Sequence, residues 1–407
     1  MGRKLIIVGA GMAAAYLLQE LLAQEPQWQI TLIGDEPDVC YNRVMLSGVL
    51  AGETDDSDLQ MLPARHLQQG IQLLANTRVR AVDTREQTVL TAGGDLLPYD
   101  RLVFATGATV ARPDLDIDGI EGVRVLRTLE DVRFLRSQRS IGRRAVVVGG
   151  GLLGLEAAHG LNAMGFETSV IHRQPYLMNR QLDVEGGLHL RDKMAQSGIR
   201  FFLGNAVRAV HASAGALTSI DLQDGSELRC DLLVFATGIA PRTELARDAG
   251  IECARGIFVD EYLHTSAANC FALGECSQLG SQCFGLVAPI KAQAIVLAAQ
   301  LNGAAAPAFA LEDWPVQLKI SGIEIFSAGS VESGGEQLVL HDKSAGIYRR
   351  LVLRGDRLVG AVLVGDKRDG IWYAQLIRNA TDISRYRPGL MFGKAVSEAM
   401  QLSAIAA

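Results

Sequence analysis

Two glycine-rich segments of the chain, "GAGMAA" and "GGGLLG", have the spacing that binds a dinucleotide. In this fingerprint the first glycine makes a tight turn and the second lets the backbone approach a pyrophosphate. The third position, glycine or alanine, allows a helix to pack closely on a strand, and the N-terminus of that helix attracts phosphate through its free N–H groups and dipole. Each segment therefore predicts a dinucleotide site. The residues at the three positions are Gly9, Gly11 and Ala14 in the first segment and Gly149, Gly151 and Gly154 in the second.

The residues that follow the two fingerprints differ in charge. Asp35 and Glu36 follow the first, slightly beyond the spacing of about 20 residues at which an acid binds ribose hydroxyls. His172 and Arg173 follow the second, where an acid would bind the 2′-hydroxyl of NAD and a basic group would accommodate the 2′-phosphate of NADP. We expect these residues to contact nucleotides, with NADH or NADPH at the second site. The alternative for His172 and Arg173 is a solvated strand end.

Apolar runs and helical patterns place both fingerprints between strands. A continuous apolar run is typical of a parallel strand that is buried on both faces, and a strand–helix–strand order makes a βαβ unit. Because this order occurs twice, it predicts two nucleotide-binding domains rather than a solenoid. The predicted strands cover residues 5–8, 28–34, 144–148 and 167–172, and the predicted helices cover residues 15–23 and 155–164.

Two further segments, "YDRLVFATGA" and "CDLLVFATGI", repeat each other. Each is predicted to be an apolar strand that ends in Ala-Thr-Gly and closes a nucleotide-binding region. The two triplets are Ala105, Thr106 and Gly107, and Ala236, Thr237 and Gly238.

The residues after about position 303 have a different character. An alanine-rich linker leads to "GIYRRLVLRGDRLVGAVLVGD", which predicts an antiparallel hairpin with a Gly-Asp turn, and then to a helical "IWYAQLIRNA". The predicted fold class is therefore α/β, with two Rossmann-like dinucleotide-binding domains and a small C-terminal α+β domain. The predicted domains are residues 1–110 with 232–305, residues 111–231, and residues 306–407.

Composition narrows the function classes. The 407 residues are 48% hydrophobic and 21% charged, with a net charge of −6, as expected of a globular chain of two or three domains. This mild acidity gives no reason to expect nucleic acid or an anionic membrane as a partner. No apolar run approaches the ~18 residues that suggest a membrane span. The six cysteines have no redox or metal-ligand spacing, so we expect structural thiols, no metal and a cytoplasmic protein.

Together with "FALGEC", these motifs resemble the pyridine-nucleotide:flavin oxidoreductases of the glutathione-reductase fold, over residues 4–302. The resemblance implies that the first fingerprint binds FAD, in the discontinuous domain, and that the second binds NADH or NADPH. In "FALGEC", Gly274 and Glu275 would end a strand ahead of a helical run. That arrangement would place a carboxylate on a ribityl hydroxyl and a helix N-terminus under a phosphate; the alternative for Glu275 is an ordinary loop acid.

The same resemblance assigns further residues. Arg43 would lie near the FAD pyrophosphate or the isoalloxazine ring, where its planar fork suits phosphate oxygens; the alternative is a surface salt bridge. Glu156 would lie near the nicotinamide, or else on a helix surface. Pro289 and Gln293 would line the flavin ring, whereas Lys291 between them could equally be solvated.

Longer motifs, including "YNRVMLSGVLAGE", "LMNRQLD" and "DISRYRPGLMFG", resemble the flavoprotein part of assimilatory NAD(P)H nitrite reductase. They also resemble the small NADH-oxidising electron-transfer subunit of bacterial assimilatory nitrate reductase. The chain stops at Ala407, before any iron–sulfur or sirohaem segment, and Gly48 replaces the redox cysteine of peroxide-reducing and oxygen-reducing relatives. The resemblance therefore implies transfer of electrons from NADH through FAD to a separate protein.

The identity of that acceptor is open. The catalytic subunit of an assimilatory nitrate or nitrite reductase fits the resemblance best, and a nitrite reductase assembled from separate chains is a further alternative. A rubredoxin or ferredoxin reductase would use the same flavin chemistry, and a nucleotide-binding redox sensor is a non-enzymatic alternative. The chain is expected to be a monomer or a homodimer.

Overall fold

The computed structural model describes residues 2–23, 28–63, 70–111, 113–138, 143–305, 307–311, 314–320, 322–331 and 334–406. Its helices are α1 (Met12–Leu22), α2 (Leu46–Ala51), α3 (Leu129–Ser137), α4 (Leu152–Ala163), α5 (Val184–Ala195), α6 (Glu244–Asp248), α7 (Val287–Leu301), α8 (Gly370–Arg378) and α9 (Lys394–Ala406). Short 3₁₀ turns cover Arg43–Met45, Asp56–Leu59, Gly274–Cys276 and Leu390–Phe392.

The strands of the described residues are given in chain order, first those before the second fingerprint and then those after it. Those before it are β1 (Arg3–Val8), β2 (Trp28–Ile33), β3 (Ile71–Leu74), β4 (Val79–Asp83), β5 (Thr88–Thr91), β6 (Leu96–Pro98), β7 (Arg101–Phe104), β8 (Ala108–Val110), β9 (Val123–Val125) and β10 (Arg144–Val148). Those after it are β11 (Glu167–His172), β12 (Arg200–Leu203), β13 (Val207–Ser213), β14 (Ala216–Leu222), β15 (Glu227–Arg229), β16 (Leu232–Phe235), β17 (Ile239–Pro241), β18 (Ile257–Val259), β19 (Cys270–Ala272), β20 (Ser277–Leu279), β21 (Gln282–Cys283), β22 (Val316–Ile320), β23 (Ile323–Gly329), β24 (Glu336–Asp342), β25 (Ile347–Arg354) and β26 (Arg357–Val364).

The chain divides into two compact units, each discontinuous in sequence. The first comprises Met1–Ala111, Arg127–Val132 and Ile239–Leu311, and the second comprises Arg112–Leu126, Arg133–Gly238 and Glu312–Ala407. No described helix has the length and apolar character needed to cross a membrane. The α/β fold class is confirmed, whereas the three domain boundaries remain a prediction.

A five-stranded parallel sheet, in the order β19-β7-β1-β2-β3, carries the first fingerprint in the first unit. Leu5 to Val8 of its central strand are at most 6% exposed. The apolar run is therefore buried on both faces, as the sequence predicts. Because β19 belongs to this sheet, a strand far along the chain completes the first nucleotide-binding region.

A second parallel sheet, in the order β12-β11-β10-β16-β9, carries the second fingerprint in the second unit. β10 and β11 begin and end where the sequence predicts, because each apolar run stops at a glycine or at a polar residue. This unit therefore repeats the arrangement of a central strand followed by a glycine loop and a helix.

The second unit also contains a five-stranded antiparallel sheet, in the order β22-β23-β26-β25-β24. Its β25–β26 hairpin turns at Gly355 and Asp356, which confirms the predicted Gly-Asp turn. Tyr373 and Leu376 of α8 pack with the buried side chains of this sheet. The C-terminal segment therefore has an apolar core of its own.

Candidate functional site

Gly9 and Gly11 lie in different surroundings within the first glycine loop. Gly9 has a φ of +107°, and a Cβ there would overlap the carbonyl oxygen of Ala105. At Gly11, by contrast, the nearest atom to an added Cβ would be Nε of Arg43, 3.9 Å away. Gly9 therefore joins the loop to the neighbouring strand end, while the open side of Gly11, at the N-cap of α1, leaves room for a pyrophosphate.

Arg43, Glu36 and Tyr41 form a polar cluster beside this loop. Arg43 forms an ion pair with Glu36, and the hydroxyl of Tyr41 donates a hydrogen bond to Glu36 over 2.7 Å. Both partners of the ion pair keep about a fifth of their side-chain surface exposed. Burial raises the pKa of Tyr41, so this phenol stays protonated and remains a donor. The cluster includes two of the predicted residues and fixes their side chains.

Arg127 connects this cluster to the "FALGEC" segment. Its backbone carbonyl accepts a hydrogen bond from Arg43 over 2.9 Å, and its guanidinium forms an ion pair with Glu275. Glu275 therefore faces a cation in this structure, and its carboxylate is also within reach of Gly107, whose added Cβ would lie 3.9 Å from Oε2. Sequence reasoning missed Arg127, because it belongs to no glycine motif and lies 148 positions from its partner.

The Ala-Thr-Gly triplet of the first unit lies next to these groups. The hydroxyl of Thr106 donates to the carbonyl of Arg242 over 2.9 Å, and the Arg242 guanidinium lies 3.3 Å from the carboxylate of Asp35. The triplet and Asp35 are thus linked through one arginine.

The "FALGEC" segment differs from its expected local structure. Gly274 and Glu275 form a 3₁₀ turn followed by the short strands β20 and β21, and the long helix α7 begins only at Val287. Directly after Glu275, therefore, there is no helix N-terminus of the kind expected. The physical reason is the turn itself: Gly274 has a φ of +83° and ends the extended run before a helix can form.

Pro289 lies in the first turn of α7, and Gln293 lies one turn further along the helix. The Gln293 side chain is fully buried; it accepts a hydrogen bond from the Gly274 N–H over 2.8 Å and donates to Ser277 over 3.3 Å. This amide is occupied in holding the Gly274 turn, rather than free to line a ring as expected. Pro289 is buried in the first helical turn, where no N–H is needed. Lys291 lies 5.0 Å from the ring of Tyr16 in a cation–π contact.

The second glycine loop repeats the geometry of the first. Gly149 has a φ of +131°, and a Cβ there would overlap the carbonyl oxygen of Ala236. A Cβ on Gly154 would overlap the carbonyl of Gly149, so this glycine permits the close packing of α4. Around Gly151 there is open space within 4 Å of an added Cβ. Gly151 therefore offers the same room for a pyrophosphate as Gly11.

His172 differs from its expected role. Its Nδ1 accepts a hydrogen bond from the Gly150 N–H over 3.1 Å, and its Nε2 lies 3.2 Å from Oδ1 of Asn179. Burial lowers the pKa of His172, so the ring is neutral near pH 7 and Nε2–H donates to Asn179. The imidazole is thus a structural support of the glycine loop, not a basic group directed at a phosphate. Arg173 beside it is exposed.

The remaining predicted residues of the second unit lie around the same loop elements. Glu156 is part of α4 and is half-buried. Gly238 follows β16 with a φ of +108° and open space around it, and Thr237 beside it is exposed. These positions stay predictions as nucleotide contacts.

The cysteines lack the features of redox centres. All six are free thiols, and burial raises the pKa of each, to about 12 for Cys40 and Cys230. A thiolate, which is the reactive form, is therefore disfavoured at every position. At Gly48 an added Cβ would meet the hydroxyl of Thr54 at 2.8 Å. Within the described parts of the chain, no cluster of three or more His, Cys, Asp or Glu could hold a metal ion.

The residues present fit two dinucleotides. Each open glycine, Gly11 or Gly151, stands at the N-terminus of a helix, where backbone N–H groups can bind a pyrophosphate. In the first unit, Arg43 and Arg127 add positive charge beside two carboxylates that can accept hydroxyl hydrogen bonds, which suits FAD. In the second unit, the open Gly151 and the exposed Arg173 suit NADH or NADPH.

Comparison with known proteins gives a family match near the C-terminus and two similar proteins of one organism. Residues 315–381 match the family model "Rubredoxin NAD+ reductase C-terminal domain". The chain is 38% identical to "Nitrite reductase [NAD(P)H]" of Bacillus subtilis, over 94% of this chain and 48% of that protein. It is 35% identical to the "Assimilatory nitrate reductase electron transfer subunit" of the same organism, over 90% and 48%. The chain thus spans about half the length of these relatives.

A solved structure has a similar fold over the full length of this chain. The putidaredoxin reductase of a covalent complex with putidaredoxin has a TM-score of 0.87 and 26% identity, over 100% of this chain and 99% of that one. Residues 3–298 match the family model "Pyridine nucleotide-disulphide oxidoreductase". The chain therefore belongs to the pyridine nucleotide-disulphide oxidoreductase family.

Proposed function

We propose that this chain is an FAD-dependent NAD(P)H oxidoreductase that delivers electrons to a protein acceptor in nitrate or nitrite assimilation. The observation that carries the proposal is the pair of glycine loops, each open at its second fingerprint position and closed against an Ala-Thr-Gly strand end at its first. Each loop thus forms a pyrophosphate cradle, at Gly11 or at Gly151. One cradle alone would be enough for a protein that only binds a nucleotide. Two cradles give the chain one site for a reductant and one for the cofactor that it reduces.

FAD supplies the chemistry when bound, because a flavin accepts a hydride equivalent from a nicotinamide and releases electrons singly. The residues of the first unit bind and orient it. Gly11 admits the pyrophosphate, while Arg43 and Arg127 lie where they can neutralise its charge. Glu36 and Glu275 are the carboxylates at hand for ribose and ribityl hydroxyls. Each is paired with an arginine, which keeps two acids beside a phosphate site from repelling it.

The residues of the second unit bind the reductant. Gly151 admits the coenzyme pyrophosphate at the N-terminus of α4, and His172 holds the loop through the Gly150 N–H. Glu156 is proposed to lie near the nicotinamide. Hydride transfer of this kind needs positioning rather than an added acid or nucleophile.

The acceptor is inferred from the relatives. The nitrite reductase and the nitrate reductase electron-transfer subunit share about 35–38% of their residues with this chain over the matched part. Because the match covers about half of each, the reaction of the whole relative is not transferred; the proposal concerns the flavin-reducing half-reaction and a protein acceptor. The six free cysteines support the cytoplasm as its location, since free thiols persist in a reducing compartment.

A second candidate is a rubredoxin or ferredoxin reductase. The specific observations in its favour are the C-terminal match to a rubredoxin reductase domain and the full-length likeness to putidaredoxin reductase. A nucleotide-binding redox sensor is the third candidate, and it would leave the second cradle without a catalytic use.

Anaerobic stopped-flow spectroscopy tests the proposal. The flavin-loaded protein is mixed with NADH or NADPH, and then with a nitrate reductase catalytic subunit, a nitrite reductase catalytic protein, a rubredoxin or a ferredoxin. Fast bleaching and fast reoxidation by one of the first two supports the proposal, and reoxidation by rubredoxin or ferredoxin alone selects the second candidate. Absence of bleaching with both nucleotides contradicts both and favours the sensor.

A further inference from the structure

The loop after β2 in the first unit and the loop after β11 in the second unit begin at equivalent positions. In the first unit the Gly9 N–H donates to the carbonyl of Ile33 over 2.8 Å, and in the second the Gly149 N–H donates to that of Ile171 over the same distance. In both, the first glycine of the fingerprint is therefore bonded to the last residue of the apolar run beside it. Counting from these bonds aligns the residues that follow.

The same loops also end at equivalent positions. Cys40 donates its N–H to the carbonyl of Ala10 over 2.7 Å, and Met178 donates to that of Gly150 over 2.9 Å. Cys40 and Met178 both have left-handed backbones, with φ of 51° and 54°, which is uncommon for residues other than glycine. Each stands seven positions after its isoleucine, so the two loops have the same length and no gap separates them.

A third pair of contacts confirms the register within the loops. The carbonyl of Glu36 accepts the N–H of Asn76, and the carbonyl of Gln174 accepts the N–H of Gly204, each over 3.0 Å. Glu36 and Gln174 are therefore equivalent. The full correspondence is Gly34 with His172, Asp35 with Arg173, and Glu36 with Gln174.

By this correspondence, the second loop is positively charged where the first loop is negatively charged. At the two positions where the first loop carries carboxylates, the second carries an exposed cation and a neutral amide. No acidic residue occurs from Thr168 to Leu182, whereas Arg173 and Arg180 both do. An acid at this place favours the 2′-hydroxyl of NAD and repels the 2′-phosphate of NADP, which an arginine accommodates.

We propose that Gln174 and Arg173 make this chain accept the 2′-phosphorylated coenzyme, so that NADPH is bound at least as tightly as NADH. The inference rests on the proposed function, since it names the coenzyme of the same site. Gln174 leaves the place of the ribose carboxylate uncharged, and Arg173 supplies the positive charge. His172, whose two ring nitrogens are occupied by Gly150 and Asn179, supports the loop and is not the discriminating residue.

The test introduces the charges of Asp35 and Glu36 at the equivalent positions of the second loop. The double variant Arg173→Asp with Gln174→Glu is compared with the starting protein and with Arg200→Asp. The latter makes the same charge change as Arg173→Asp, but at an exposed residue at the opposite, amino end of a strand in this sheet. Isothermal titration calorimetry of the oxidised, flavin-loaded proteins measures Kd for NADP⁺ and NAD⁺, and steady-state kinetics gives kcat/KM for NADPH and NADH.

We expect the starting protein and Arg200→Asp to bind NADP⁺ at least as tightly as NAD⁺. In the double variant, Kd for NADP⁺ should rise by tenfold or more, because two carboxylates beside a phosphate are repelled by it, while Kd for NAD⁺ changes by less than about threefold. A starting protein that binds NAD⁺ tenfold more tightly overturns the inference and leaves the proposed function standing. So does an unchanged ratio in the double variant. Failure to bind either coenzyme, with no bleaching of the flavin, overturns both.

Discussion

The glycines of each fingerprint do two different things, and the surrounding atoms separate them. Gly9 and Gly149 lie against a backbone carbonyl that leaves no room for a side chain, so they are needed for folding. Gly11 and Gly151 have φ of −92° and −88°, which any residue adopts, and face open space. Substitution at the second pair should therefore affect ligands and spare the fold.

Gly11→Val is expected to give a folded protein without flavin. The valine fits the backbone and the empty space of the cradle, and its methyl groups then occupy the place of the pyrophosphate. The flavin absorbance of the purified protein and its circular dichroism measure the two effects separately. Gly9→Val is the matched control, since it should lose flavin and folded protein together. Yellow, fully loaded Gly11→Val would show that FAD binds elsewhere.

Arg127→Gln is expected to weaken flavin binding about tenfold. Without the guanidinium, the unpaired carboxylate of Glu275 repels the phosphates of FAD, and the proposed charged contact of Arg127 with them is lost; a loss of about 1.4 kcal/mol corresponds to a factor of ten in Kd. Fluorescence titration of FAD into the apoprotein measures it. Arg85→Gln, in the exposed turn between β4 and β5, should leave Kd unchanged; equal losses in the two variants would remove Arg127 from the site.

The strands that flank both fingerprints follow closely from the sequence. An apolar run that stops at a glycine loop leaves little choice of register, and β10 and β11 match their predicted ends. The glycine spacing likewise locates both cradles. The contributions of Arg127 and Gln174 could not be predicted, because the first acts through a partner far along the chain. The second is recognisable only from backbone hydrogen bonds that align two loops of unrelated sequence.

At the C-terminal sheet, two histidines connect α5 to β24. Nε2 of His341 lies 3.2 Å from Nδ1 of His189, and His189 is only 7% exposed. Burial is the main cause that lowers the pKa of His189 below its ordinary 6.5; the facing His341 and Lys193 act in the same direction, while the backbone of Gly346 and Asp192 oppose them. Protonation of this ring is therefore costly in the folded state.

Acid is expected to destabilise the second unit. Because the pKa of His189 is lower folded than unfolded, the unfolded chain binds more protons below about pH 6.5. The full stability is thus present above that pH and decreases as the pH falls toward the folded pKa. Thermal melting at about pH 7.5, 6.5 and 5.5 should show a smaller loss of Tm in His189→Gln than in the starting protein.

His264→Gln provides the comparison for that experiment. His264 is half exposed and pairs with Asp260 in the first unit, so its removal leaves the contact between His189 and His341 in place. The acid-induced loss of Tm should persist in this variant. A loss that disappears equally in His264→Gln would contradict the role given to His189.

At the scale of the whole molecule, the two ligands should stabilise different units. Each ligand binds one folded cradle, and at a hundred times its Kd it stabilises that unit by about 2.7 kcal/mol. In differential scanning calorimetry, FAD is expected to raise the transition of the unit that contains Gly11, and NADP⁺ that of the unit that contains Gly151. Gly151→Val should keep the first shift and lose the second. A Gly151→Val protein that keeps both shifts would contradict the assignment of separate sites.

The left-handed residues Cys40 and Met178 also separate the shape of these loops from their charge. Two loops of equal length, with the same rare backbone conformation at the same place, follow one path in both units, although residues 34–40 and 172–178 differ at six of seven positions. The path therefore depends on backbone hydrogen bonds, and the charge at residues 35–36 or 173–174 can vary independently of it.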